Sequence, residues 1–458
     1  MRDGRRVTLL ALTACGAVFC AAAYSSEAVA APKPNVVVVV VDAMRADRLG
    51  PYGAARDVTP NLNRFAGRSV VFEHVVTQSA WTVPAMTSLL TSLDPLTHRV
   101  LRYNPNQRLE MDQLSASEDT LAEMFKSAGY QTVALKKTVV VDTNRGLTQG
   151  FDVNRIIGGQ MAEGISAQEL TDAASAWLGT ERDPARPFLM YLHYMDPHSS
   201  YRAPEPWYSK YKAGYSGSLT GDHMEIERRF VQNKEKATEA DIAYLKGLYD
   251  AEIEYWDSQF GRFMQQLVIS GLDSNTIVAV VADHGEAFGE HGQWFHGDVW
   301  QENVQIPWIV KAPGVAPGRR SDWSQIIDVA PTLADLAGVS RGPRWQGRSH
   351  AANILNPASP APGGSVYTEY GNYRALISPD GMKLVLGYGN AKLYNLHSDP
   401  GESNDLAPVR GMLVDRLKAE LDARTTAARA AVVGAAPAAL PLSPEQVQAL
   451  KALGYVDE

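Results

Sequence analysis

Thiols are nearly absent: the 458-residue chain has two cysteines, Cys15 and Cys20, both within its first twenty residues. A chain processed beyond them has no cysteine nucleophile, no thiolate metal site and no disulfide framework, and a chain of this length can rely on its core instead. Basic excess is missing too. Lysine and arginine number 43 against 51 acids, a formal charge of −8, and they are scattered, so nucleic acid is excluded as a partner. There is no internal repeat at a fixed period, which argues against solenoids and propellers. What remains is ordinary globular composition, 45% hydrophobic and 21% charged, enough for one large domain and a small one.

The first thirty residues have the form of a signal peptide. Arg2, Arg5 and Arg6 precede an apolar run from Val7 to Tyr24, and Ala28-Val29-Ala30 offers a small-residue cleavage site before Ala31. The expectation is an exported body, periplasmic or secreted. Other readings stay open: Leu12-Thr13-Ala14-Cys15 has lipobox form, which would make a lipoprotein through Cys15, and Arg5-Arg6 with Thr8-Leu9-Leu10 is a loose twin-arginine pattern. The apolar run is also at the lower edge for an uncleaved anchor. Membrane contact is expected only through such a lipid or anchor.

Along the rest of the chain, apolar runs alternate with amphipathic stretches. This predicts an α/β fold with a mostly parallel central sheet flanked by helices. Asn35 to Val41, with six consecutive valines, reads as a strand buried on both faces; Thr132 to Leu135, Phe188 to Leu192, Thr276 to Val281 and Pro307 to Val310 are further strands. Apolar residues recur at three and four in Asp119 to Ala128, Ala167 to Leu178 and Thr238 to Ser270, which predicts helices. Ser365 to Leu396 alternates as a small antiparallel sheet, and Tyr201 to Glu239 reads mostly as a loop over the site.

Four of these strands run into chemistry-bearing residues. They end in Asp42, in Asp283-His284-Gly285-Glu286, in Asp196-Pro197-His198 and in Lys136-Lys137. In open parallel sheets the carboxyl edge is where ligands bind. Asp42, Asp283 and His284 suit a divalent cation, Ca²⁺, Mg²⁺, Mn²⁺ or Zn²⁺, and the imidazole favours Mn²⁺ or Zn²⁺. Thr82-Val83-Pro84 precedes a helix-like run from Ala85 to Leu90, which places Thr82 at a helix N-terminus, where an anionic ester and an alkoxide are both favoured. A cation beside it would activate the hydroxyl.

Asp42-Ala43-Met44-Arg45-Ala46-Asp47-Arg48-Leu49-Gly50, Thr59-Pro60-Asn61-Leu62, Asp283-His284-Gly285-Glu286, Gly289-Glu290-His291-Gly292, Asp328-Val329-Ala330-Pro331-Thr332-Leu333 and Leu393-Tyr394-Asn395-Leu396 occur in this order. The set resembles the sulfatase family of the alkaline phosphatase superfamily. The resemblance implies a catalytic domain over 32–345 and a C-terminal subdomain over 346–433; the Ala/Pro-rich stretch from Gly434 and the capping-box form of Ser443-Pro444-Glu445-Gln446 predict a linker and terminal helix over 434–458. The family's nucleophile motif is Cys or Ser, any residue, Pro, any residue, Arg, closing in Thr-Gly; here Thr82, Pro84, Met86 and Thr91-Ser92 stand in those places. Threonine cannot become the family's formylglycine aldehyde, since its methyl group would give a ketone. Relatives with threonine nucleophiles transfer phosphoryl groups beside a metal, so phosphate esters become as good a substrate class as sulfate esters. The resemblance implies a metal shell of Asp42, Thr82, Asp283 and His284, with Ala43 in place of a second acid. It gives Lys137 the role of a family lysine whose partner histidine is replaced by Val139. It also gives His198 an ester contact and puts His296 where many members have lysine. His198 and His296 are the candidate general acids. The implied substrate is a small-molecule or glycan anionic ester, with hydrolysis, phosphoryl-type transfer, or binding without turnover as the alternatives.

Overall fold

The computed structural model describes residues 32–101, 110–138, 140–141, 146–158, 167–433, 439–441, 444 and 447–448. Met1–Pro32 and Lys33–Glu458 are separate units. The signal segment with Cys15, Val139 and most of the expected terminal helix lie outside the described residues.

An eight-stranded sheet organises the larger unit. Its strands are β1 (Asn35–Val41), β2 (Val70–Val76), β3 (Gln131–Lys136), β4 (Val153–Ile156), β5 (Phe188–Tyr194), β6 (Thr276–Ala282), β7 (Trp308–Lys311) and β8 (Gly318–Gln325). Their spatial order is β8-β2-β7-β6-β1-β5-β3-β4, and only Trp308–Lys311 runs antiparallel to its neighbours. β1, β5 and β6 sit together at the centre with every residue buried. Unbroken apolar runs are what a parallel strand covered on both faces requires.

The covering helices follow from side-chain alternation. On β5, Tyr194 bonds Thr171 of α2 (Ala167–Ala176), whereas Tyr191, on the opposite face, reaches Met86 of α1 (Thr82–Thr91). α3 (Glu239–Ile269) packs with α2, and Trp256 meets Tyr194 edge-on. Thr238 and Asp241 form its capping box, so the expected helix appears with its boundaries. The stretch from Tyr201 to Glu239 is more ordered than the expected loop: it holds helical segments at Trp207–Lys212, His223–Ile226 and Glu227–Gln232. Stacking of Phe230 on Trp294 and of His223 on Phe295 supplies the packing that local sequence did not reveal.

The small sheet is antiparallel, formed by Val366–Tyr370, Tyr373–Ile377, Met382–Leu386 and Lys392–Asn395. Leu417 and Leu421 of α4 (Gly411–Ala430) close one side of it. Lys383 ties it to the region after β6, with Nζ 2.7 Å from Glu402 Oε1 and donating to the Val299 carbonyl at 2.6 Å.

Candidate active site

The three central strands bring their carboxyl ends to one point. Asp42 follows β1 directly, Asp283 and His284 follow β6, and His193 lies near the end of β5. Val40 is the register partner of His193, so alternation puts His193 on the face that Val40 shares with Asp42. Two local features fix the turns. Ala43 adopts φ 57°, a left-handed conformation uncommon for alanine, held by its N–H donating to Asp283 Oδ1 at 3.0 Å and by Tyr249 Oη donating to its carbonyl at 2.6 Å. At Gly285 a Cβ would lie 2.0 Å from the Glu302 carbonyl oxygen, so the loop after His284 closes only around glycine.

Thr82 is the first residue of α1, a helix buried along its whole length, and Trp81 occupies the cap position. Thr82 Oγ1 stands 3.2 Å from His284 Nε2 and 3.5 Å from Asp42 Oδ2. At the other end of α1, Ser92 takes φ 53° at the place the family gives to glycine, and donates to the Ile327 carbonyl at 2.7 Å. Met86 is fully buried.

The polar groups around Thr82 are nearly all acceptors. His284 Nδ1 lies 2.9 Å from the Gly285 carbonyl oxygen; a carbonyl only accepts, so Nδ1 carries the proton and Nε2 presents its lone pair inward. That nitrogen is 3.4 Å from Asp283 Oδ2 and 3.7 Å from Asp42 Oδ1. Both of these carboxylate oxygens are buried without a hydrogen bond. His193 Nε2 is 3.1 Å from Asp42 Oδ2, and ligand atoms of Asp42, His193 and Asp283 all lie within 4.8 Å of one another. Burial, with the charge of Asp283, drives the Asp42 carboxyl up to about 7, and burial drives the His193 imidazole down to about 4. Converging buried acceptors with so few donors fit a divalent cation, and these separations are of the size of the ~3.3 Å between ligands of a tetrahedral ion with bonds of about 2.0–2.1 Å.

His198 and His296 lie beside the cluster. The His296 ring is 4.2 Å from His284 and 5.3 Å from His198, centroid to centroid. His296 Nδ1 is 3.1 Å from Glu286 Oε1, and Tyr201 donates to Glu286 Oε2 at 3.2 Å. Burial lowers the His198 imidazole, takes His296 down to about 4 and pushes Glu286 up to about 7. Burial thus favours the neutral form of both candidate acids, and a bound anion would oppose that effect.

Lys137 is the predicted residue that the fold does not bring to Thr82. Its ammonium pairs with Glu169 of α2, on the face opposite α1, while Lys136 is the register partner of His193. Sequence reasoning missed His193, Tyr191 and Glu286. Glu286 stood within a quoted motif and could have been found, whereas His193 and Tyr191 lie inside a strand with no local signal.

A family model described as Sulfatase matches residues 34–339. The choline-sulfatase of Rhizobium meliloti (strain 1021) is 24% identical over 432 residues, 82% of this chain and 82% of that protein. The human (Homo sapiens) iduronate 2-sulfatase is 24% identical over 392 residues, 68% of this chain and 70% of that protein. Among solved structures, one in complex with its substrate D-glucosamine-2-N,6-O-disulfate superposes with a TM-score of 0.72 at 20% identity, covering 87% of this chain and 98% of the other. The phosphonate monoester hydrolase of Agrobacterium radiobacter gives a TM-score of 0.68 at 21% identity, covering 86% and 96%. The chain belongs to the sulfatase family and is a sulfatase-like ester hydrolase.

Proposed function

We propose that this protein is an exported, metal-dependent hydrolase of anionic esters in which Thr82 is the nucleophile. The observation that carries this is the position of Thr82 Oγ1, at the first turn of α1 and within 3.2 Å of His284 Nε2 and 3.5 Å of Asp42 Oδ2. Asp42, Thr82, Asp283 and His284 would hold the ion, with Mn²⁺ or Zn²⁺ suited to the mixed oxygen and nitrogen donors. When bound, it supplies the positive charge that acidifies the threonine hydroxyl and offsets charge on the ester oxygens.

Thr82 Oγ1 releases its proton to solvent and attacks the phosphorus or sulfur of the ester; the bond to the leaving oxygen breaks, and that oxygen takes a proton from His296 or His198. The negative charge of the bound ester raises the histidine that burial had depressed. Water then cleaves the threonine ester and frees the acid. Threonine supports phosphoryl chemistry at least as well as sulfuryl chemistry. Resemblance both to sulfatases and to a phosphonate monoester hydrolase keeps the two ester classes together as substrates.

The test is turnover of paired aryl sulfate, aryl phosphate and diaryl phosphate by protein loaded with Mn²⁺, Zn²⁺ or Ca²⁺, beside Thr82→Ala. Phosphate-ester turnover lost in the variant supports the proposal. Retained turnover removes Thr82 from the chemistry, and no turnover with an ion bound would favour a glycan- or anion-binding role. Export predicts a mature chain beginning at Ala31, or a lipid on Cys15, and mass spectrometry of the fractionated host distinguishes these.

A further inference from the structure

Ala43 removes one acid from the implied metal shell and Met86 removes the motif arginine, and the two departures meet at one side chain. Tyr191 Oη is 3.3 Å from Met86 Sδ and 2.7 Å from His193 Nδ1. A thioether only accepts, so in the tautomer where the Tyr191 hydroxyl donates to the sulfur, the tyrosine oxygen accepts from His193 Nδ1–H. That leaves the lone pair of Nε2 aimed at Asp42 Oδ2, 3.1 Å away, in the group already formed with Asp283. In that tautomer two fully buried acceptors face each other at this distance, and a proton on Asp42 or a cation between them relieves the repulsion; the ligand atom of Asp283 converging on the same point is what suits a cation.

We propose that His193 is a ligand of the bound cation, supplying through Nε2 the bond that an acid at position 43 would have made, and that Tyr191 and Met86 are positioning residues that fix its tautomer. This rests on the metal-dependent function proposed above. Arginine at position 86 would offer Tyr191 only donors, so the tyrosine proton would turn to His193 Nδ1 and reverse the tautomer. Met86 and Ala43 thus form one coordinated exchange rather than two losses. The ligand set becomes two carboxylates, two imidazoles and the threonine oxygen, a composition that selects Zn²⁺ or Mn²⁺ over Ca²⁺.

The experiment measures Zn²⁺ and Co²⁺ affinity by chelator competition, with the visible spectrum of the Co²⁺ form, in wild type, His193→Ala, Tyr191→Phe and the double variant His193→Ala/Ala43→Asp. Far-ultraviolet circular dichroism checks that each is folded. His193→Ala is expected to weaken binding by more than the ~10–100-fold typical of losing an outer hydrogen-bond partner, and to change the Co²⁺ bands. Tyr191→Phe should fall within that ~10–100-fold range with similar bands. Aspartate tolerates the left-handed backbone at position 43, so the double variant should recover much of the affinity. Wild-type affinity and an unchanged Co²⁺ spectrum in His193→Ala overturn the inference while leaving the metal site intact. Failure of the wild type to bind either ion overturns the metal-dependent function itself, a separate result.

Discussion

Thr82→Val is the substitution that separates a nucleophile from a structural residue, because it keeps the branched shape and removes only the hydroxyl. In the metal-free protein that hydroxyl is the donor facing His284 Nε2 at 3.2 Å and Asp42 Oδ2 at 3.5 Å, all of them fully buried. Leaving a buried acceptor without its donor costs about 1–3 kcal/mol. Adding Zn²⁺ or Mn²⁺ should shrink that loss, since the cation then satisfies the same lone pairs. The catalytic effect is far larger: removing members of a hydrolase nucleophile system costs on the order of 10⁴- to 10⁶-fold in kcat, about 5–8 kcal/mol at 1.36 kcal/mol per decade. Urea unfolding with and without metal reads the first quantity, and turnover of aryl phosphate and aryl sulfate reads the second. Turnover within tenfold of wild type, together with the stability loss, would refute the nucleophile assignment and leave Thr82 as a helix-terminal residue. Thr82→Ser, which retains an oxygen, is expected to keep measurable turnover.

Glu290 should make stability depend on acid pH. Burial alone would raise its carboxyl, but Arg45 Nη1 at 2.9 Å and Lys246 Nζ at 2.8 Å outweigh that and hold it down to about 2, against an ordinary value of 4.5. A depressed carboxyl stabilises above the unfolded value and loses that contribution as pH falls from about 4.5 toward 2. The urea midpoint of the wild type should therefore drop more steeply across this window than that of Glu290→Gln; equal slopes would refute the assignment. Lys383→Met strands the buried Glu402 carboxylate and should cost about 3–5 kcal/mol by urea unfolding, with partial recovery when Glu402→Leu is added; a cost under about 1 kcal/mol would show the pair to be dispensable. Gly285→Ala forces a Cβ against the Glu302 carbonyl, so His284 is expected to shift and metal affinity to fall, which the chelator competition detects.

The fold class, the three central strands and the long helix capped at Thr238 were legible because each depends on a local pattern: unbroken β-branched runs, or a 3.6-residue period with a capping box. Val70–Val76, Gly318–Gln325 and Val153–Ile156 were not named as strands. The second is an edge strand whose mixture of charged and polar residues matches one open side, and such a strand has no periodic signature. Asp42, Thr82, Asp283 and His284 were found because each lies at the end of a strand or the start of a helix, where sequence position predicts spatial convergence. His193 was hidden in the apolar run FLMYLHY, where one imidazole reads as a core residue.

By itself, then, the sequence determined the alternation of strands and helices, the delivery of acids and imidazoles to one sheet edge, and threonine at the place of the family's nucleophile motif. Only the tertiary structure decided which side chains share a face. Register pairs His193 with Val40 and with Lys136, aiming it at Asp42, while Lys137, one residue further on, turns to Glu169. Register and face are set by contacts between strands far apart in the chain, as in His193 to Asp42 across 151 residues, and no local pattern encodes them.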